Sequence, residues 1–203
     1  AEKLCDYVHS GGTLVWHPLS GARDEEASMY PGRLHPALQE LFGVDTTEYA
    51  TVEDDAELTF AWKDGEFSGR LFVDLLETDD AEAVGTHKTG HWIGRPALTV
   101  ASRSGGRAYY VSTYPEDRFY RPFLRDLLNE AGIEPILPGV PPGVEVSERR
   151  CPDGSRLVFL MSYSPEPMKV LLPEPMDDVW NENSDMSAVE LLPYGASVLV
   201  DRA

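Results

Sequence analysis

Cysteine is scarce in this 203-residue chain, which has only Cys5 and Cys151. Two thiols so far apart make neither a disulfide framework nor a zinc pattern, which takes about four ligands at close spacing. A reducing cytoplasm is the compartment that fits. Long apolar runs are lacking too: none reaches the roughly 18 residues of a membrane span. The opening segment AEKLCDYVHSGG lacks the basic-then-apolar order of an export signal. Basic residues are few, 17 against 35 acidic ones, for a net charge of −18. Nucleic acids are bound by neutralising phosphates, so a chain this acidic repels them. Neither a nucleic acid nor a membrane is expected as a partner. Acidic runs such as Glu53-Asp54-Asp55 and Asp79-Asp80 sit beside turn-like stretches and read as solvated charge.

What is present reads as two regions. In the first, Glu2 to His9 places Leu4, Tyr7 and Val8 on one helical face. Gly11-Gly12 ends that helix, and Thr13-Leu14-Val15-Trp16 follows as a buried strand. Helix, Gly-Gly and apolar strand form the second half of a βαβ unit. The strand that would precede the helix is not in the sequence, so the chain is expected to be part of a longer one. Leu34, Leu38, Leu41 and Phe42 recur at helical spacing before Gly43. Two hairpins are expected, one turning at Lys63-Asp64-Gly65 and one at Ser104-Gly105-Gly106. A long amphipathic helix carries Phe119, Phe123, Leu124, Leu127, Leu128 and Ala131.

Pro135, Pro138, Gly139, Pro141, Pro142 and Gly143 then interrupt any regular element and read as a linker. Beyond them, short strand candidates alternate with turns: 144–149, 157–163, 168–172, 179–181, 188–192 and 197–200. Closely spaced strands of this kind suggest a small antiparallel sandwich. The expected domains are therefore 1–134, a linker at 135–143, and 144–203.

The stretch from Leu4 to Val15 resembles the "L-x-x-Y-V-x-x-G-G-x-L-V" segment of the glycoside hydrolase family 42 middle domain. Ser20-Gly21-x-x-Asp24-Glu25 follows it, as in that family. Pro31-Gly32-Arg33-Leu34 and Leu41-Phe42-Gly43-Val44 are similar to its next landmarks. Gly94-Arg95-Pro96-Ala97-Leu98-Thr99 and Gly106 to Thr113 resemble its late hairpin, and Phe123-Leu124 to Gly132-Ile133 its closing helix. Pro142 to Val146, Leu157 to Tyr163 and Leu192-Pro193-Tyr194-Gly195 look like its C-terminal β-domain.

The resemblance implies a class I amidotransferase-like α/β domain, incomplete at its N-terminus, followed by the small all-β domain. It implies a parent enzyme that hydrolyses terminal β-D-galactosides with retention, using two glutamates on a (β/α)8 barrel. No part of this chain matches the barrel, so neither glutamate carries over. The implied partners are two further copies, in a homotrimer formed through the α/β domain, and the catalytic barrel of the same polypeptide. The alternative is a freestanding carbohydrate-binding or interaction protein that shares the fold.

Retaining hydrolysis needs two carboxyl groups roughly 5 Å apart, one of them protonated. Asp24, Glu25 and Glu26, on a loop after a strand, are the nearest approach to such a group, and a solvated role is expected for them. Cys5 lies inside a helix and Cys151 beside a turn, without the sharp strand-to-helix elbow of a nucleophile. His87 and His91 are four apart, yet Thr89-Gly90 between them is loop-like and no further ligand completes a metal site. No catalytic residue, metal or cofactor is expected. Of Trp16, Trp62, Trp92 and Trp180, the first two lie in expected strands and belong to the core. Trp92, in His91-Trp92-Ile93-Gly94, is the substrate-proximal candidate. In a trimer its loop would lie against a neighbour's barrel near the active-site mouth.

Overall fold

The computed structural model describes residues 1–53 and 57–201. Asp54 and Asp55 of the first acidic run, and the last two positions of the 144–203 segment, lie outside the described residues. The chain divides into two units, Ala1–Gly132 and Ile133–Ala203.

The first unit opens with helix α1 (Glu2–His9) and strand β1 (Thr13–Trp16), separated by Gly11 at φ 102°. After a long loop, His35 caps α2 (Pro36–Phe42): its Nδ1 accepts the Ala37 N–H at 3.2 Å, and Gly43 closes the helix in the left-handed conformation. There follow β2 (Val44–Thr51), β3 (Thr59–Trp62), β4 (Gly65–Thr78), β5 (Glu82–His87) and a 3-10 turn at Gly90–Trp92. The unit ends with β6 (Pro96–Arg103), β7 (Gly106–Val111), β8 (Thr113–Pro115) and α3 (Asp117–Glu130). The strands lie in the order β1-β7-β6-β5-β3-β4-β2, with β8 also on β4.

This arrangement corrects the α/β, amidotransferase-like expectation. Only β1 and β7 pair in parallel; every other pairing given for this sheet is antiparallel. The physical reason lies in the turns. A parallel connection needs a crossover of a dozen or more residues, whereas two-residue loops join only antiparallel neighbours. Lys63-Asp64 joins β3 to β4, and Ser104-Gly105 joins β6 to β7. Ser104 and Gly105 take φ 46° and 99°, the pair of positive values that a tight hairpin of right-handed twist demands. The helix, Gly-Gly and strand order is real, but it extends no further than α1 and β1.

Two cores hold this unit. Leu34, Leu38, Leu41 and Phe42 pack with Val8, Val44, Leu76 and Tyr110. The other brings Phe119, Phe123 and Leu127 of α3 against Phe60, Trp62, Phe67, Leu98 and Val111.

The second unit holds β9 (Val144–Arg150), β10 (Arg156–Ser162), β11 (Met168–Asp178), β12 (Asn183–Leu191) and β13 (Ala196–Asp201). They form one five-stranded antiparallel sheet, β12-β11-β13-β10-β9, instead of the expected two-sheet sandwich. Asp177↔Val200 and Asp178↔Leu199 tie the β11–β12 hairpin to β13, which makes one sheet of the whole. Alternation along β10 buries Val158 and Leu160 with Val170, Val189, Leu191 and Leu199. Leu137, from the Pro/Gly segment, is buried in the same cluster, with Ile136 and Val140 packed against it. No helix among the described residues is long and apolar enough to cross a membrane.

Candidate functional site

Catalysis by paired carboxylates requires two of them to face one space, whereas the two buried acids among the described residues, Asp74 and Asp178, belong to different units and are each bonded within their own. Asp74, on β4, is 2% exposed and accepts a hydrogen bond from the Tyr110 hydroxyl at 2.7 Å. Burial raises its pKa, against the lowering effects of Tyr110, the Leu19 N–H and Arg33. Asp178, in the other unit, is 3% exposed. Burial pushes its carboxyl up, but bonds from Asn181, Ser197 and the Trp180 N–H outweigh that and hold it low. Each of the two carboxylates fixes its own loop: Asp74 holds the start of the segment after β1, and Asp178 folds 179–182 into a turn. The strand expected at 179–181 is therefore absent.

The loop acids behave in the same way. Asp24 Oδ1 accepts the N–H groups of Glu26 and Ser28, at 3.1 and 2.7 Å, while Glu25 and Glu26 are exposed. Asp24 turns the chain, while the Glu25 and Glu26 side chains stand in solvent. Cys5 Sγ lies 3.6 Å from the Ala37 carbonyl and its thiol pKa is raised, mainly by burial. Cys151 sits at a turn in the other unit. A thiol raised by burial is not an activated nucleophile.

His87 is 1% exposed on β5, its Nε2 lies 2.8 Å from Ser112 Oγ, and burial lowers its pKa to about 4. It is a neutral core histidine at pH 7. His91 is exposed, its ring 6.2 Å from that of Trp92 and steeply inclined to it, at 75°. The described residues contain no group of three or more His, Cys, Asp or Glu placed to hold a metal.

The four tryptophans separate by environment. Trp16 donates Nε1–H to the Ser20 carbonyl at 2.9 Å and leans on Phe42. Trp62 is buried among Phe67, Phe119 and Phe123. Trp180 is 64% exposed on the turn that Asp178 fixes. Trp92 is half-buried on the 3-10 turn, followed by Ile93 at 66% exposed. The 88–95 segment is tied down at both ends. Thr89 Oγ1 accepts the Thr59 N–H at 2.7 Å, the Gly94 N–H reaches the His87 carbonyl at 2.9 Å, and Arg95 pairs with Glu77. Gly90 and Gly94, at φ 70° and 78°, allow the two reversals that present Trp92 and Ile93.

The buried Asp74 gives a pH test. Its folded pKa is raised above the unfolded one, so its stabilisation is complete below the unfolded carboxyl pKa and is lost as pH rises through the folded value. Asp74→Asn keeps an acceptor for Tyr110 and has no charge to bury. Thermal melts should show wild type losing ground to Asp74→Asn as pH rises across that window. A gap between the two that stays constant with pH would show that Asp74 carries no such linkage.

Residues 1–134 match the family model described as the β-galactosidase trimerisation domain. Among curated proteins, β-galactosidase BglY of Alicyclobacillus acidocaldarius is 31% identical over 208 residues, covering 98% of this chain and 30% of its own length. β-Galactosidase LacZ of Heyndrickxia coagulans is 30% identical over 165 residues, 81% of this chain and 24% of its own. The solved structure of Gan42B, a GH42 β-galactosidase from G. stearothermophilus, superposes on 100% of this chain and 30% of its own, with a TM-score of 0.91 at 27% identity. The chain thus spans less than a third of these relatives.

Proposed function

This chain belongs to the β-galactosidase trimerisation-domain family of the GH42 enzymes, and from that premise we propose that it is the non-catalytic assembly portion of a β-galactosidase. The parent polypeptide would hydrolyse terminal β-D-galactosides with retention, on a barrel outside these residues. Its unit would be a homotrimer closed through the first unit of this chain. A ring of three uses a contact between two different patches, repeated around the threefold axis. The observation that carries the reading is the match over residues 1–134, together with buried carboxylates that are each committed to a loop. The expected compartment is the cytoplasm, in keeping with Cys5 and Cys151 both being free thiols. Light scattering on the full-length protein should give three times the subunit mass; a monomer at working concentration would remove the assembly role.

A second reading concerns Trp92. An indole held half-buried on a tethered turn, beside an exposed isoleucine, suits contact with a neighbouring copy near its sugar-binding mouth. In the full-length enzyme, Trp92→Ala should lower kcat/KM for a β-galactoside by about tenfold or more. Unchanged kinetics and unchanged mass would dismiss the role.

A further inference from the structure

We propose that the cleft between the β11–β12 hairpin and the start of β13 is a binding site for a neutral saccharide. The inference stands on the second unit alone and does not depend on the assembly reading above. Among the described residues, β11 meets β13 only through Asp177↔Val200 and Asp178↔Leu199. The first residues of β11, Met168 to Leu171, pair instead with Leu191 to Ala188 of β12, while Ala196 and Ser197 of β13 pair with β10. The hairpin and β13 therefore part from Asp178 onward, and a cleft of about 550 Å³ lies there. That is a usual size for a small-ligand site. Asp178 and Ser197, both buried, form its floor, and Lys169, Asn181, Asn183 and Glu190 its exposed walls.

The chemistry of these groups selects the ligand. Asp178 Oδ1 accepts the Trp180 and Asn181 N–H groups at 2.9 and 3.0 Å. Its Oδ2 accepts Asn181 Nδ2–H and the Ser197 hydroxyl at 2.8 and 2.9 Å. Four donors fill the carboxylate, so it has no oxygen left to hold a cation. An anion would face the carboxylates of Asp178 and Glu190 with only Lys169 to offset them.

What stays free is polar and uncharged. Asn181 keeps its carbonyl oxygen and a second amide hydrogen, Ser197 keeps its acceptor lone pairs, and the side-chain amide of Asn183 has no partner among the described residues. Neighbouring donors and acceptors suit sugar hydroxyls, each of which both donates and accepts. Trp180, 64% exposed, stands beside Asn181 on the same turn, and an indole offers the apolar face that pyranose C–H groups pack on. Asp178 holds this turn in shape before any ligand arrives, which lowers the ordering cost of binding.

Hydrogen exchange of the full-length protein, read by mass spectrometry with millimolar D-galactose, D-glucose or lactose, tests the site. Exchange should slow in peptides covering 178–183 and 188–197. Sugar bound elsewhere in the polypeptide slows other peptides, so the two are told apart. Asn183→Ala and Trp180→Ala should each require about tenfold more sugar for the same protection. Protection of these segments by sodium sulfate or calcium chloride, and not by sugars, would overturn the saccharide assignment. No protection there by any of the sugars, or protection that neither substitution weakens, would overturn the site. The assembly reading stands or falls separately, on the mass of the full-length protein.

Discussion

Gly106→Ala is expected to cost the chain about 3 kcal/mol of stability, at the upper end for forcing a methyl group into packed structure. A Cβ at Gly106 would stand 1.9 Å from the Val8 carbonyl oxygen and 2.6 Å from that of Gly12. Both obstacles are backbone, so no side-chain rotation relieves them. Gly106 also begins β7, whose next residue, Arg107, donates its N–H to the Gly12 carbonyl at 3.0 Å. Relief would therefore push the end of α1 away from β7 and loosen the one parallel pairing in the sheet. Gly12→Ala is the control. Its Cβ would meet the ring of Tyr7, which is 51% exposed and can swing aside. A loss under about 1 kcal/mol is expected there, typical of a surface change. Urea unfolding of the 203-residue chain reads both, and similar losses for the two variants would refute the close-approach account.

Phe119→Ala should cost more, about 4 kcal/mol. Phe119 is 0% exposed, with ring centroids 4.9 Å from Phe123, 5.3 Å from Phe67, 5.4 Å from Phe60 and 5.5 Å from Trp62. It is the ring that fastens α3 to β3 and β4, so its loss removes transfer energy and leaves a cavity as well. Leu124→Ala, on the same helix but 49% exposed, should cost under about 1 kcal/mol. Trp62 emission reports the loosened cluster independently of the unfolding curve. A Phe119→Ala loss no larger than that of Leu124→Ala would mean that α3 is held by something other than this cluster.

Local signals were legible in the sequence wherever a turn residue or a helical stripe announced them. Asp64-Gly65 and Ser104-Gly105 marked both hairpins, and the Phe119, Phe123, Leu127 spacing marked the buried face of α3. The same hairpins already argued against a parallel sheet. The α/β pattern of α1 and β1 does not run through the unit because the tight hairpins after it impose antiparallel pairing. Strand β5 carried little apolar signal: Glu82-Ala83-Val84-Gly85-Thr86-His87 buries only Gly85 and His87. Strand β2 is mostly polar because it lies at the sheet edge.

The candidate site was legible in part. The commitment of Asp74 to Tyr110 and of Asp178 to Ser197 depends on contacts far apart in the chain. A lone aspartate in Leu71-Phe72-Val73-Asp74-Leu75-Leu76 was the one available hint of the first. Trp180 and Trp62 are indistinguishable as letters, yet one lies in solvent and the other in the core.

The most direct measurement offers a chromogenic β-galactoside to the purified 203-residue chain, after a cooperative melt has established that the sample is folded. The expected result is turnover no faster than the uncatalysed rate. Hydrolysis that vanishes when one of the chain's own carboxylates is replaced by its amide would contradict a purely supporting role.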